Sequence, residues 1–512
     1  MNEHNARGRF LASILHARPS LLLAATLLAG VILRLVAYGG ESLSGDELFS
    51  LDIASLGPME GLELIKQDVV HPPLYYLLLS AWTHVAGENP TSLQALSMIF
   101  SALTIALVFE VAHKVTGNSW IGLLAATLTA LSQNQAEYSS VVRAYAMYSA
   151  LGLLVTLSLL WAKQRPDSNA VWIGCAITTT IFVMTHYMGW LFVAATFPAV
   201  LVVRKREFIL RWMISVATAA GISVVWFIQV LPYLVEKHGL GQNLGWIGQP
   251  SFYDLAFVYA RFVGLLAFPR GTTITLLFGA LVLGPALIVI IKRVQVVFVN
   301  NSTQDTGDRL FGTLVVCCCA LGPPLLLWLL AMPPISLPIW GGRQIIPSQP
   351  FLAIVLAISV SVIWSSKRVL GIGAAVLLVV FQAAWILQNC LTCPFRTPYE
   401  TLAAFIQIRQ SISQTPVLTT WMWGIGRPLR YYMGDTANID SAPDDIHLYP
   451  DDFWFAYRPD SGAEQESFDK LIRDGRWRAS EDKYFAAGWQ DSGTWGVRLV
   501  LFEQPVVDEI HR

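Results

Sequence analysis

The sequence predicts a polytopic α-helical membrane protein with about eleven transmembrane helices, followed by a small extracytoplasmic α/β domain. Three observations predict it. Hydrophobic residues make up 54% of the 512 against 13% charged, a balance outside the soluble range. Charge is unevenly placed, with 12 basic and 18 acidic side chains in residues 392–512 but only 22 and 17 in residues 1–391. Apolar runs of membrane-spanning length recur through the first part and stop near residue 391. The chain therefore divides into a membrane domain, 1–391, and a soluble domain, 392–512. A net charge of −1 offers no basic field for a polyanion, so no nucleic-acid partner is expected.

The first run, 20–38, is too long for a signal-peptide core and lacks a small-residue cleavage site, so it reads as a retained helix. Further runs follow at 92–113, 119–135, 146–162, 170–185, 187–203, 212–230, 273–291, 310–331, 345–364 and 369–389. Residues 73–86 would make a helix of only about 21 Å against a ~30 Å hydrocarbon core. That segment is expected to lie at the interface within a first outer loop, 39–91. With it excluded, the loops on the N-terminal side hold fifteen Lys and Arg and the opposite loops six. The positive-inside rule then places the N-terminus in the cytoplasm and the soluble domain outside. The uncharged stretch 170–203 has basic clusters at both ends, so it crosses twice and turns outside at Thr185-His186-Tyr187. In the soluble domain, helical patterns (398–412, 424–433) and strand-like runs (416–421, 453–457, 496–503) suggest the α/β class.

Other features are less informative. Cys175 and Cys317 to Cys319 sit in apolar runs as core residues. The lone Cys390-x-x-Cys393 lacks the second pair of a zinc site, leaving a disulfide and an inert pair both open. The sequons at Asn300 and Asn301 fall in an expected cytoplasmic loop, where glycosylation is not expected. No internal repeat is evident, which weakens a secondary-transporter reading.

Polar residues gather in the outer loops. The first holds Ser44-Gly45-Asp46-Glu47, Asp68 and His71-Pro72-Pro73; the second holds Gln133 to Ser140, including Glu137 and Tyr138, then Arg143-Ala144-Tyr145. The outer turn holds His186-Tyr187, and a later loop holds Trp340-Gly341-Gly342-Arg343-Gln344. Each has a plain structural reading. Asp46 and Glu47 could cap the next helix, Arg143 and Arg343 could meet lipid headgroups, and His71 could serve the Pro-Pro turn. Arg34, near the outer end of the first span, is expected to snorkel. Convergence on one membrane face favours a site with a base, phosphate ligands and sugar-stacking surfaces.

Asp46-Glu47, HPPLYYLLL at 71–79, the pattern from Gln135 to Tyr145, Thr185-His186-Tyr187 and R-Q-I-I-P at 343–347 resemble family 39-type glycosyltransferases of the C-type (GT-C) superfamily. That group includes the protein O-mannosyltransferases and the bacterial aminoarabinose transferases. The likeness is densest over 34–150. It implies inverting transfer of a hexose or pentose from a polyprenyl-phosphate carrier to a glycan, lipid or protein acceptor on the extracytoplasmic face of the cell's inner or plasma membrane. Asp46 matches the family's acid and Glu47 its partner, while Arg343, with Arg143, would meet the donor phosphate. His71, Glu137, Tyr138, Tyr145, His186 and Tyr187 would line the substrate site. Gln344 stands where relatives carry Tyr, and Ala144-Tyr145 stands where many carry an Asp, so a second carboxylate comes from Glu137 or is absent.

The chemistry suits these residues without the name. A departing phosphate is an anion that guanidinium groups stabilise, and an inverting displacement needs one base beside the acceptor hydroxyl. No cofactor is assigned with certainty. A divalent metal on Asp46, Glu47 and His71 is an open option without a recognised ligand motif. Two other classes stay in view: a flippase or transporter of lipid-linked sugars, and a non-catalytic binding subunit of a glycan assembly system.

Overall fold

A computed structural model of the chain describes residues 19–236, 247–264, 304–392, 397–410, 415–434 and, with short breaks, 437–504. The span expected at 273–291, the Asn300 and Asn301 sequons and the Cys390 and Cys393 side chains lie outside what is described.

The described residues before 393 form helices joined by loops. In chain order the helices are α1 (Pro19–Tyr38), α2 (Gly45–Ser55), α3 (Pro58–Asp68), α4 (Leu74–Ala86), α5 (Pro90–Thr116), α6 (Ser119–Ala130), α7 (Gln133–Glu137) and α8 (Tyr145–Gln164). There follow α9 (Asn169–Val183), α10 (Gly189–Val202), α11 (Arg206–Glu236), α12 (Phe252–Val263), α13 (Gln304–Ala331), α14 (Ser348–Ser366) and α15 (Arg368–Thr392). Among the described residues, seven of them (α1, α5, α8, α11, α13, α14 and α15) are long and apolar enough to cross a membrane. Three shorter apolar helices, α6, α9 and α10, occupy the runs 119–135, 170–185 and 187–203. Local signals set their ends. Asn89 caps α5 by accepting from the Ser92 N–H with Pro90 in the first turn, and Gly117 ends it in the left-handed region at φ 69°.

Arg34 corrects one expectation. It is 1% exposed and does not snorkel. Its guanidinium donates to Ser101 Oγ at 2.8 Å and to the carbonyls of Gly30, Ala130 and Thr129 at 3.0, 2.8 and 3.2 Å. The last two belong to the final turn of α6, so Arg34 bolts α1 to α5 and α6 by donating to carbonyls at that helix end.

The loops sort by charge. Lys114, Lys163, Asp308 and Arg309, all in segments assigned to the N-terminal side, line one recess, where Lys163 pairs with Asp308. The polar outer-loop residues meet at a different place, described below. Reporter fusions after Leu391 and within 204–211 are expected to report opposite sides of the membrane. A soluble domain found on the cytoplasmic side would overturn the orientation read from the charge count.

Beyond residue 396 lies a five-stranded sheet of β1 (Val417–Thr419), β2 (Ile439–Ser441), β3 (Phe453–Tyr457), β4 (Arg478–Phe485) and β7 (Val497–Glu503), in the order β2-β1-β3-β7-β4. The two-residue strands β5 (Trp489–Gln490) and β6 (Gly493–Thr494) pair separately. β1 runs parallel to β2 and β3, while β7 runs antiparallel to β3 and β4. Phe453-Trp454-Phe455-Ala456-Tyr457 is buried at every position, as a central strand covered on both faces must be. Trp454 and Ala456 pack under α16 (Tyr399–Gln410) and α17 (Arg427–Met433); Phe453, Phe455 and Tyr457 pack with Leu471 of α18 (Gly462–Asp474).

These elements contact residues 42–52. The Tyr432 hydroxyl accepts from the Leu43 N–H at 2.8 Å, Ser42 Oγ accepts from the Glu400 N–H at 3.1 Å, and Arg427 pairs with Asp52.

Candidate active site

The site begins with the start of α2. Ser44 is the N-cap, and Glu47 reaches back so that one carboxylate oxygen accepts from the Ser44 N–H at 3.0 Å and from its hydroxyl at 2.8 Å. The other oxygen accepts from the Val142 N–H at 2.8 Å, which ties the first outer loop to the second. Glu47 is 1% exposed, with both oxygens engaged in structure. Asp46 takes no part in the cap. Its side chain is 45% exposed and turns toward two guanidiniums, an indole N–H and an imidazole from other segments.

Arg343 Nη1 lies 3.7 Å from Asp46 Oδ2. The Trp423 indole donates to Asp46 Oδ1 at 3.3 Å. Arg143 donates to the Asp46 carbonyl at 3.2 Å and lies 3.1 Å from His71 Nε2, with its guanidinium over the Tyr76 ring at 5.9 Å. His71 Nδ1 is 2.8 Å from Asp68 Oδ2. Asp68 accepts and Arg143 donates, so the imidazole carries its proton on Nδ1. Beside it, His186 is stacked on Tyr148 at 4.8 Å and lies 6.1 Å from the His71 and Tyr145 rings; Tyr138 meets Tyr145 edge-on at 5.1 Å.

The electrostatics follow from this crowding. Burial pushes the Asp46 carboxyl up, but Arg143, Arg343, the Trp423 N–H and His71 together hold it below the ordinary carboxylate range. Burial likewise opposes ionisation of Asp68, and His71 with Arg143 overcomes it despite the repelling charge of Asp46. His71 is lowered by burial and by Arg143, more than Asp68 restores. His186 is pushed well down by burial, with His71, Arg143 and Arg343 adding to it. At neutral pH the site therefore holds two ionised carboxylates, two guanidiniums and neutral imidazoles.

Several residues that the sequence singled out gather here: Asp46, His71, Arg143, Arg343, Tyr138, Tyr145 and His186. Glu137 and Tyr187 are turned elsewhere. Glu137 accepts from Gln133 Nε2 and from Arg261 of α12, each at 2.7 Å, in a pair only 2–3% exposed. Burial pushes its carboxyl up while Arg261 and Gln133 pull it back. The Tyr187 hydroxyl accepts from Trp226 Nε1 of α11 at 2.9 Å. The second carboxylate of the cluster is Asp68, and an Asp-x-x-His spacing ending at His71 was its signal in the sequence. Arg261 and Trp423 were missed, and the Ser44-x-x-Glu47 capping box was readable but read as a carboxylate pair.

The three suggested metal ligands do not converge, since Glu47 faces Ser44 and Val142 while the His71 nitrogens face Asp68 and Arg143. Among the described residues, no group of three His, Cys, Asp or Glu is arranged to hold a metal ion. Gln135 Nε2 donates to the Ile346 carbonyl at 3.2 Å, joining the second loop to the turn (Gly342–Ile345) that carries Arg343.

Residues 70–233 match the family described as dolichyl-phosphate-mannose-protein mannosyltransferase. No curated protein matches the chain at the sequence level. Among solved structures, ArnT from Cupriavidus metallidurans in the apo state shares the fold with a TM-score of 0.55 at 11% identity, over 94% of this chain and 97% of that one. The same protein bound to undecaprenyl phosphate gives 0.52 at 12% identity over the same shares. At such identity the structural likeness speaks for the fold, and the matched segment spans the loops bearing His71, Arg143 and His186. Over residues 70–233 the chain is similar to the dolichyl-phosphate-mannose-protein mannosyltransferases, and its fold is shared with ArnT.

Proposed function

We propose that the chain transfers a sugar from a polyprenyl-phosphate carrier to a glycan, lipid or protein acceptor on the extracytoplasmic face, with inversion at the anomeric carbon. The observation that carries this reading is an ionised, half-exposed carboxylate, Asp46, set against two guanidiniums at the point where four outer segments meet. ArnT, which shares the fold, is known bound to undecaprenyl phosphate, and two guanidiniums suit a lipid phosphate of that kind.

In this reading Arg343, 29% exposed, receives the donor phosphate, and the more deeply placed Arg143 supports it. The acceptor hydroxyl attacks the anomeric carbon from the face opposite the phosphate. The carbon–oxygen bond to phosphate breaks, the phosphate leaves with the electron pair as an anion held by arginine, and the hydroxyl proton passes to Asp46. His71, fixed by Asp68 and Arg143, forms with Tyr138, Tyr145 and His186 a wall suited to a sugar ring.

Arg343→Ala is expected to weaken donor binding by about 1.5–3 kcal/mol, the worth of a charged hydrogen bond. Arg343→Lys should recover only part of it, because a point charge does not reproduce the planar fork. Titration of the purified protein with polyprenyl phosphate reads this, and unchanged affinity in Arg343→Ala would remove it from the site. The function itself is tested in cells. A strain lacking the protein should accumulate one polyprenyl-phosphate sugar and lose one sugar from a surface glycan, lipid or protein, both measured by intact mass. Restoration by the wild type but not by Asp46→Asn supports transfer; equal restoration by both contradicts it.

A further inference from the structure

One contact to Asp46 comes from outside the membrane domain. Trp423 lies in a single π-helical turn, Met422–Gly426, a rare conformation that often marks a functional segment. The turn is clamped from the soluble side. The Tyr399 hydroxyl donates to the Gly424 carbonyl at 2.5 Å, and Arg458 lies 3.8 Å over the Trp421 ring while its guanidinium binds Glu464 at 2.9 and 3.1 Å. From the membrane side, a Cβ on Gly45 would fall 2.2 Å from the Trp423 carbonyl oxygen, so only glycine lets α2 approach the turn so closely. Phe49 packs on the indole at 5.8 Å, and Arg427, paired with Asp52 of the same helix, lies 4.6 Å over it. The indole is thus fixed from both sides, with its N–H on Asp46 Oδ1.

We infer that Trp423 is a positioning residue for Asp46, through which the soluble domain sets the orientation of the carboxylate that accepts the proton. The inference rests on Asp46 acting as the base. A half-exposed carboxylate rotates freely unless held, and its other anchor, Arg343, is 3.7 Å away on Oδ2 and is the group that the donor phosphate would engage. With Oδ1 held by the indole, the carboxylate keeps its plane when Arg343 turns to the phosphate. The soluble domain thereby completes the reaction site rather than only covering it.

Trp423→Phe keeps an aromatic ring against Phe49 and Arg427 and removes the N–H. It is expected to lower kcat about 10-fold or more with donor affinity within about twofold, as loss of orientation without loss of binding does. The acid limb of the rate profile should move to higher pH, because the lost N–H favoured the ionised carboxyl, while Asp68, His71, Arg143 and Arg343, which also face Asp46, are unchanged. Gly45→Ala, which displaces the turn from the opposite side, should give the same split. Combined with Asp46→Asn, Trp423→Phe should cost nothing further. Wild-type kcat and pH profile in Trp423→Phe, or an undiminished loss when it is added to Asp46→Asn, overturns the positioning role alone while Asp46→Asn stays impaired. Near-normal transfer by Asp46→Asn removes the base reading and this inference with it.

Discussion

Asp46→Asn is expected to lower sugar transfer by about 10²–10⁴ with donor binding largely retained. The size of the effect follows from the chemistry, since an amide fills the same volume and still accepts from Trp423 but takes no proton. The competing explanation, that the residue serves as a helix cap, is removed by geometry. Ser44 and Glu47 form the cap at the start of α2, and Asp46 makes no bond to it. The variant should therefore fold and insert as the wild type does, so a loss of turnover reads as chemistry. Transfer rate and donor affinity measured on the same purified preparation check this.

Glu137→Ala is expected to cost about 3–5 kcal/mol of stability, because it breaks a buried ion pair by removing the carboxylate that faces Arg261. The pair joins α12 to the short helix α7 next to the second-loop arginine, so the loss should appear as a lower melting temperature and a lower yield of folded protein. Replacing both partners with methionine should recover most of the loss, since paired apolar side chains carry no desolvation penalty. A single variant as stable as the wild type would show that the pair contributes nothing to the fold.

The long spans were legible because hydrocarbon thickness imposes apolar runs of fixed length, and runs at 20–38, 345–364 and 369–389 correspond to Pro19–Tyr38, Ser348–Ser366 and Arg368–Thr392. Shorter helices such as Ser119–Ala130 end before their apolar runs do, because Ser132 caps the next helix. Asp46, Arg143 and Arg343 stood out because the polar motifs carrying them converge on one face in the sequence reading and match the family's motifs. Partners chosen by tertiary packing did not. Arg261 meets Glu137 across 124 positions and Trp423 meets Asp46 across 377, and no local pattern encodes either. Arg34 was misjudged for the same reason, since the carbonyls it binds lie 95 and 96 positions away. Glu47 is the opposite case, where a local capping box was present and the functional reading displaced it.

Sugar transfer from lipid phosphate to an acceptor can be followed with purified protein in proteoliposomes. With a labelled polyprenyl-phosphate sugar and the acceptor fraction from the deletion strain, the wild type should release polyprenyl phosphate and label the acceptor with inverted anomeric configuration. Asp46→Asn should do neither above about one hundredth of that rate. Movement of the intact donor across the bilayer, with no polyprenyl phosphate released, would rule out transfer and identify a transporter of lipid-linked sugars instead.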